Sequence, residues 1–142
     1  MLFRSAQLKR ARITKSKIVQ VYLSIVRPIL EYACQVWHAG LTVQQTQLLE
    51  SIQERALRLA FPSLTCEEAL LEANIPTLSS RRDILCKRLF QEAEAPDHKL
   101  FPLLPVQKTH AYQHRQPSKY PLPKVHTERF KGSFINYGLF SS

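Results

Sequence analysis

The clearest periodicity in the chain lies between residues 18 and 37. One apolar stripe reads Ile18, Val21/Tyr22, Ile25, Ile29, Tyr32 and Val36, in steps of three and four. A second reads Val19, Leu23, Val26, Leu30, Ala33 and Trp37, and Lys17, Gln20, Ser24, Arg27, Glu31, Gln35 and His38 fill a third, polar face. A helix that is apolar over two adjacent stripes is packed on from more than one side, so the pattern predicts a central helix over residues 16–38. Thr14 or Ser16 suits its start and Gly40 its end. Pro28 lies inside it, removing one backbone donor and crowding the carbonyl of Ser24. Both stripes continue in phase across the proline, which predicts a kink there and not a break.

Three further helices follow. Thr42 with Gln45 three residues later is a capping-box pattern, and Leu48/Leu49, Ile52, Ala56 and Leu59/Ala60 form the apolar face behind it. Glu54 and Arg58 stand one turn apart on the outside, and Pro62 ends the helix. Thr65 with Glu68 is a second capping box, opening a short helix to about residue 73. Asn74, Ile75 and Pro76 make a turn. The last helix covers residues 78–93, with Leu78, Leu85, Leu89 and Ala93 along one face, Cys86 and Phe90 beside them, and Asp83 paired with Lys87. The expected fold is all-α, four to five helices around the kinked central one, forming a domain over residues 1–105. Residues 98–105 lay apolar side chains on the bundle. Residues 106–142 are expected to be a basic, proline-rich tail, extended or disordered over 106–126, whose short apolar end (134–140) is a strand or a docked segment.

Charge changes this picture more than composition does. At 142 residues, 44% hydrophobic and 22% charged, the chain is ordinary for a globular domain able to bury its own core. Its net charge of +9 is unevenly spread. Residues 1–30 carry seven cations and no acid, residues 31–97 six cations and ten acids, and residues 98–142 seven cations and one acid. Two basic ends around an acidic middle favour a polyanionic partner, the alternative being a solvated surface. Cys34, Cys66 and Cys86 form no C-x-x-C pair. They sit within helical patterns as small apolar residues, which suggests a reducing, intracellular setting. No signal peptide or membrane span is expected, since Arg27 and Glu31 interrupt the longest apolar stretch.

Most candidate chemistry fails on spacing. No phosphate-cradling glycine motif occurs, and three glycines in all could not build one. Glu67 and Glu68 point about 100° apart on a helix, so they suit capping and the first turn better than acid–base work. His110 and His114 have an i,i+4 spacing but no helical face and no third ligand, and no metal site or cofactor is expected. Nothing orients Cys86 toward a histidine as a nucleophile. What remains is basic: Lys9, Arg10, Arg12, Lys15 and Lys17, five cations in nine residues, and Arg55 with Arg58 on one helix face. Arg81 and Arg82 sit at a helix start, where cations oppose the dipole and need another partner, either phosphate or a buried carboxylate such as Glu31. Lys108, Arg115, Lys119, Lys124, Arg129 and Lys131 interleave with Tyr112, Tyr120 and Phe130, a make-up that fits single-strand binding by charge and stacking.

Four stretches taken in order are more specific. Residues 26–38 read Val-Arg-Pro-Ile-Leu-Glu-Tyr-Ala-Cys-Gln-Val-Trp-His, residues 49–58 Leu-Glu-Ser-Ile-Gln-Glu-Arg-Ala-Leu-Arg, residues 78–83 Leu-Ser-Ser-Arg-Arg-Asp, and residues 130–135 Phe-Lys-Gly-Ser-Phe-Ile. This series resembles the region downstream of the polymerase core in reverse transcriptases of LINE-type, jockey-like non-LTR retrotransposons, and the likeness covers roughly residues 8–135. In that family the core carries a Tyr-x-Asp-Asp pair of metal-binding aspartates, and the following helices resemble a thumb that guides template RNA and nascent DNA. The resemblance implies that residues 1–105 are thumb-like. It carries no catalysis to this chain, whose only aspartates, Asp83 and Asp97, stand apart.

The expected function is therefore non-catalytic: a nucleic-acid-binding fragment of an RNA-directed DNA polymerase that contacts template and primer backbone. Lys9, Arg10, Arg12, Lys15 and Lys17 are expected to meet phosphate, with Arg55 and Arg58 second, as positioning charges and not base readers. The partners are RNA or DNA without sequence preference, and the polymerase core that the resemblance places upstream; no membrane is expected. A helical protein-interaction or structural module, and a functionless pseudogene fragment, stay open as alternatives.

Overall fold

The computed structural model describes residues 13–107 and 119–141, which form helices with no strand among them. In chain order these are α1 (Lys15–Val21), a π-helical turn (Tyr22–Val26), α2 (Arg27–Glu31), α3 (Cys34–Trp37), α4 (Val43–Ala60), α5 (Cys66–Ala73), α6 (Leu78–Ala93), α7 (Glu128–Lys131) and α8 (Phe134–Ser141). Short 3-10 turns occur at His38–Gly40 and Phe101–Leu103. The fold is all-α, as the periodicity predicts. Its contacts divide it into two compact units, Met1–Ala33 with Leu41–Arg82, and Cys34–Gly40 with Asp83–Ser142. α6 gives residues 78–82 to the first unit and 83–93 to the second.

Local sequence sets the helix starts in the first unit. The Thr42 hydroxyl accepts from the Gln45 N–H at 3.2 Å while the Gln45 side chain accepts from the Thr42 N–H at 2.9 Å, so α4 begins with a reciprocal capping box. Thr65 and Glu68 do the same for α5, at 3.4 and 2.8 Å. Asn74 ends α5 in the left-handed region (φ 51°), where asparagine is better tolerated than most residues, and the Ile75 N–H closes back on the Leu70 carbonyl at 3.1 Å. The core of this unit is Tyr22, Leu57, Ala60, Phe61, Ala69 and Ile75, with Ile18, Val19, Leu23 and Val26 packed against it. Several polar groups inside it are matched. The buried Tyr22 hydroxyl donates to Gln53 Oε1 at 2.6 Å, and Gln53 Nε2 donates to the Pro76 carbonyl at 3.0 Å. The Glu50 carboxylate accepts from the N–H groups of Leu78 (3.1 Å) and Ser79 (2.5 Å), capping α6 from another helix.

The central helix departs from expectation. Between α1 and α2 the chain makes a π turn, the Arg27 N–H reaching back five residues to the Tyr22 carbonyl. Pro28 then falls in the first turn of α2, where its missing donor costs nothing. A π turn holds one residue more than an α turn, so everything after it is rotated by about 100° from where a uniform 3.6-residue period would put it. The second stripe keeps its place, Val19, Leu23 and Val26 packing on the core with Ile18 and Tyr22 of the first, but the rest of the first stripe does not. Val21, Ile25 and Ile29 are 44%, 58% and 71% exposed, and Tyr32 is 81% exposed. Glu31, on the polar face of the sequence pattern, pairs with Arg81 as one of the two expected alternatives has it, with Arg81 Nε 2.6 Å from Glu31 Oε1. The helix ends at Glu31, because Tyr32 leaves helical geometry and Ala33 takes a positive φ of 50°. The single kinked helix over 16–38 is thus three helical segments and a π turn.

The second unit is built on the latter part of α6. Phe90, Tyr120 and Leu139 are its buried cluster, with Leu104, Phe134 and Ile135 packed on it. Phe90 meets Tyr120 and Phe134 edge-on, both at 6.4 Å between ring centroids. Tyr137 donates to Asp83, whose other oxygen lies 2.9 Å from Lys87 Nζ, and Lys119 pairs with Glu94 at 2.9 Å. The boundary expected at residue 105 therefore falls inside a unit. The apolar end is a helix, α8, seated on Phe90, and Tyr120 is buried in the middle of the expected tail. Residues 119–126 hold neither helix nor strand, and 108–118 lie outside the described residues. Cys34 and Cys86 are buried as small apolar residues, Cys86 Sγ lying 3.9 Å from the Cys34 carbonyl.

Two tyrosines, the buried Tyr22 and the half-buried Tyr137, set an alkaline limit. Burial raises the Tyr22 hydroxyl well above its usual range, with smaller opposing effects from Arg27 and Glu31. Burial and the bond to Asp83 do the same to Tyr137. A raised folded value means the stabilisation is complete below the unfolded pKa of about 10 and is lost as pH rises beyond it. Urea melts should lose stability steeply above that pH. Tyr22→Phe should flatten the loss by up to about 1.4 kcal/mol per pH unit, while costing about 1 kcal/mol at neutral pH through the lost bond to Gln53. An alkaline slope identical in parent and variant would rule out the buried hydroxyl as its source.

Candidate nucleic-acid interface

α1 opens at Thr14, which is extended (φ −65°, ψ 148°) and whose carbonyl accepts from the N–H groups of Lys17 and Ile18. The two following cations, Lys15 and Lys17, are exposed in the first turn, where they face the positive pole of the helix. They do not serve the helix there. Lys15 Nζ stands 5.6 Å from the centroid of the Phe61 ring, which caps the C-terminal end of α4. Arg58 lies in the last turn of α4, where a cation suits the dipole, and Arg55 one turn before it; both are exposed. The fold thus brings Lys15 to the end of α4 that carries Arg58. Lys9, Arg10 and Arg12 lie outside the described residues, as do His110 and His114.

The electrostatic surroundings of these cations differ. Glu31 is the only acidic residue before Glu50. Its side chain is 10% exposed, paired with Arg81 at 2.6 Å and near Arg27 at 3.9 Å. The first helical run therefore contributes one acid, and that one is paired. Arg55 and Arg58 stand on the helix that carries Glu54, and Glu54 lines a cleft of about 340 Å³ with Glu50, Gln53, Cys66, Glu67 and Leu70. The Cys66 thiol is pushed up by burial and by Glu54, against Arg58, which registers the negative potential there. Glu50, Glu54 and Glu67 are thus grouped at a cleft beside α4, the helix that carries Arg55 and Arg58.

Arg81 and Arg82 have internal partners. Arg81 is bound to Glu31, and the fully buried Arg82 has a guanidinium nitrogen 3.8 Å from Glu50. Of the two alternatives, phosphate or a buried carboxylate, the carboxylate is the one in place. The part played by Glu50 left no periodic signal, because it is read across helices and not along one. Glu54 and Arg58, expected to pair, are not among the ion pairs formed by the described residues, whereas Asp83 and Lys87 are. Among the described residues no three His, Cys, Asp or Glu side chains are grouped to hold a metal ion, and no helix is long and apolar enough to cross a membrane.

Comparison with known proteins gave no match: no family model, no curated protein and no solved structure matches the chain.

Proposed function

We propose that the chain is a non-catalytic, thumb-like module from a LINE-type retrotransposon reverse transcriptase, holding the backbone of a template–primer duplex by charge. The observation that carries this reading is the cationic run from Lys9 to Lys17, whose described members Lys15 and Lys17 are exposed on a helical run whose sole acid, Glu31, is paired with Arg81. The order of the four sequence stretches supports the family origin. Each cation neutralises one phosphate and displaces condensed counterions, which gives affinity without base reading. The natural partners on this reading are RNA or DNA and the upstream polymerase core that supplies the catalysis.

Binding to a short RNA–DNA hybrid tests it. The expected Kd is on the order of 10⁻⁴–10⁻⁶ M at physiological salt, with log K against log salt falling at about −4. Replacing Lys9, Arg10 and Arg12 with Ala should flatten that slope by roughly 2 to 3, and Lys15→Ala with Lys17→Ala by roughly 2. Arg55→Ala with Arg58→Ala should move it less, since Glu54 already offsets them. Circular dichroism should be unchanged throughout. A slope near zero, or one insensitive to the first two variants, rejects the reading.

A further inference from the structure

Val21 just before the π turn, Ile25 within it and Ile29 after it lie on the outside, 44%, 58% and 71% exposed. They follow one another in steps of four along a single helical run, so they form a narrow apolar file about 12 Å long. Isolated surface valines and isoleucines need no explanation, but three in file on one helix are the pattern by which one helix receives another, ridge into groove. The charge around the file identifies the kind of occupant. Lys15 and Lys17 stand exposed at its head, the residues before them are basic, and Glu31 is withdrawn into its pair with Arg81. A second copy of this chain would set cations against cations. A bilayer would call for a broad apolar face, which a single file of branched side chains does not offer. An amphipathic helix with apolar residues one turn apart and acidic residues beside them meets both requirements.

We infer that the exposed file Val21–Ile25–Ile29, with Lys15 and Lys17 at its head, docks an acidic amphipathic helix of a partner protein. The inference is independent of nucleic-acid binding, although the two ligands would compete for the same lysines. Complex formation buries the file against the partner's apolar side chains, and the lysines pair with its carboxylates, so both the isoleucines and the lysines contribute.

The test uses the full chain and two designed, fluorescently labelled helices identical in their leucine file, one flanked by glutamates and the other by lysines. In anisotropy titrations without nucleic acid, the glutamate helix should bind and the lysine helix should bind at least about tenfold more weakly. Ile25→Ser with Ile29→Ser should weaken the glutamate helix by at least about tenfold while leaving the thermal melt in place, because both side chains are already largely in water. Ile29→Ser alone, at the most exposed of the three positions, repeats the measurement with the least risk to folding. Any of four outcomes overturns the inference. The two helices bind equally, or the isoleucine variants bind like the parent. The parent ignores both helices but binds pure phosphatidylserine vesicles through Ile25 and Ile29. Sedimentation shows a dimer that the isoleucine variants dissolve. Loss of the salt-dependent hybrid binding described above touches none of these readings.

Discussion

Glu50→Ala should lower the unfolding free energy by about 3–5 kcal/mol, close to the whole stability of a small domain. The carboxylate answers two charges of the same sign at once. It lies 3.8 Å from the guanidinium of Arg82, whose side chain is wholly buried, and it accepts the first N–H groups of α6 at 3.1 and 2.5 Å. Removing it leaves a cation in a low-dielectric interior without that anion, and two helix N–H groups without an acceptor. Glu50→Gln keeps an acceptor and loses only the charge, so it should fall between parent and alanine variant. Arg82→Met combined with Glu50→Ala should recover much of the loss, since an apolar side chain of similar length needs no counter-ion. Chemical denaturation of the four proteins gives the coupling directly. A Glu50→Ala variant within about 1 kcal/mol of the parent would show that the interior tolerates the Arg82 charge by other means.

Gly138→Ala should destabilise by about 1–3 kcal/mol, although alanine is the better helix former by about 1 kcal/mol. Gly138 lies inside α8, where its backbone presses on the face of the Phe90 ring. An added Cβ would stand 2.0 Å from one ring carbon and 2.4 Å from another. Phe90 is 3% exposed and held edge-on by Tyr120 and Phe134, so the ring cannot swing clear without breaking those contacts. Helix propensity and packing thus predict opposite signs, and a thermal melt distinguishes them. Phe90→Leu made in the alanine background should regain part of the loss by opening space. A higher melting temperature for Gly138→Ala would mean that α8 is not seated on Phe90 as described.

Where a signal is local, it was legible in the chain. Thr42 with Gln45, Thr65 with Glu68, Pro62 and Asn74 mark α4 and α5 because capping and chain reversal depend on neighbours within a few residues. The span of α6 follows from its apolar face for the same reason. The π turn was not legible, since a period read off a sequence assumes a constant pitch and nothing in Tyr22–Val26 announces the extra residue. With that one departure Ile25 and Ile29 lie on the surface and not in the expected core, whereas the Glu31 pair with Arg81 was among the expected alternatives. The apolar end at 134–140 was legible as a strand or a docked segment, but its helical form and its seat on Phe90 were not, since the seat depends on an absent side chain at Gly138. For the site, the sequence picks out Lys15 and Lys17 by density of charge. The weakness of Arg55 and Arg58 depends on Glu54 and Glu67, which only the fold assembles around one cleft.

The extra residue in the π turn also constrains how this region can change length. A π turn is the mark that a single-residue insertion leaves in an α-helix. Deleting one residue from Tyr22–Val26 is therefore not a neutral shortening, since it returns the segment to regular pitch and turns everything after it back by about 100°. Ile25 and Ile29 would rotate toward α4, and Glu31 would be carried away from Arg81, stranding a guanidinium beside the core. A point substitution in the turn alters one contact, whereas a one-codon deletion re-indexes every contact that follows. Length in these five positions should consequently be held more tightly than side-chain identity.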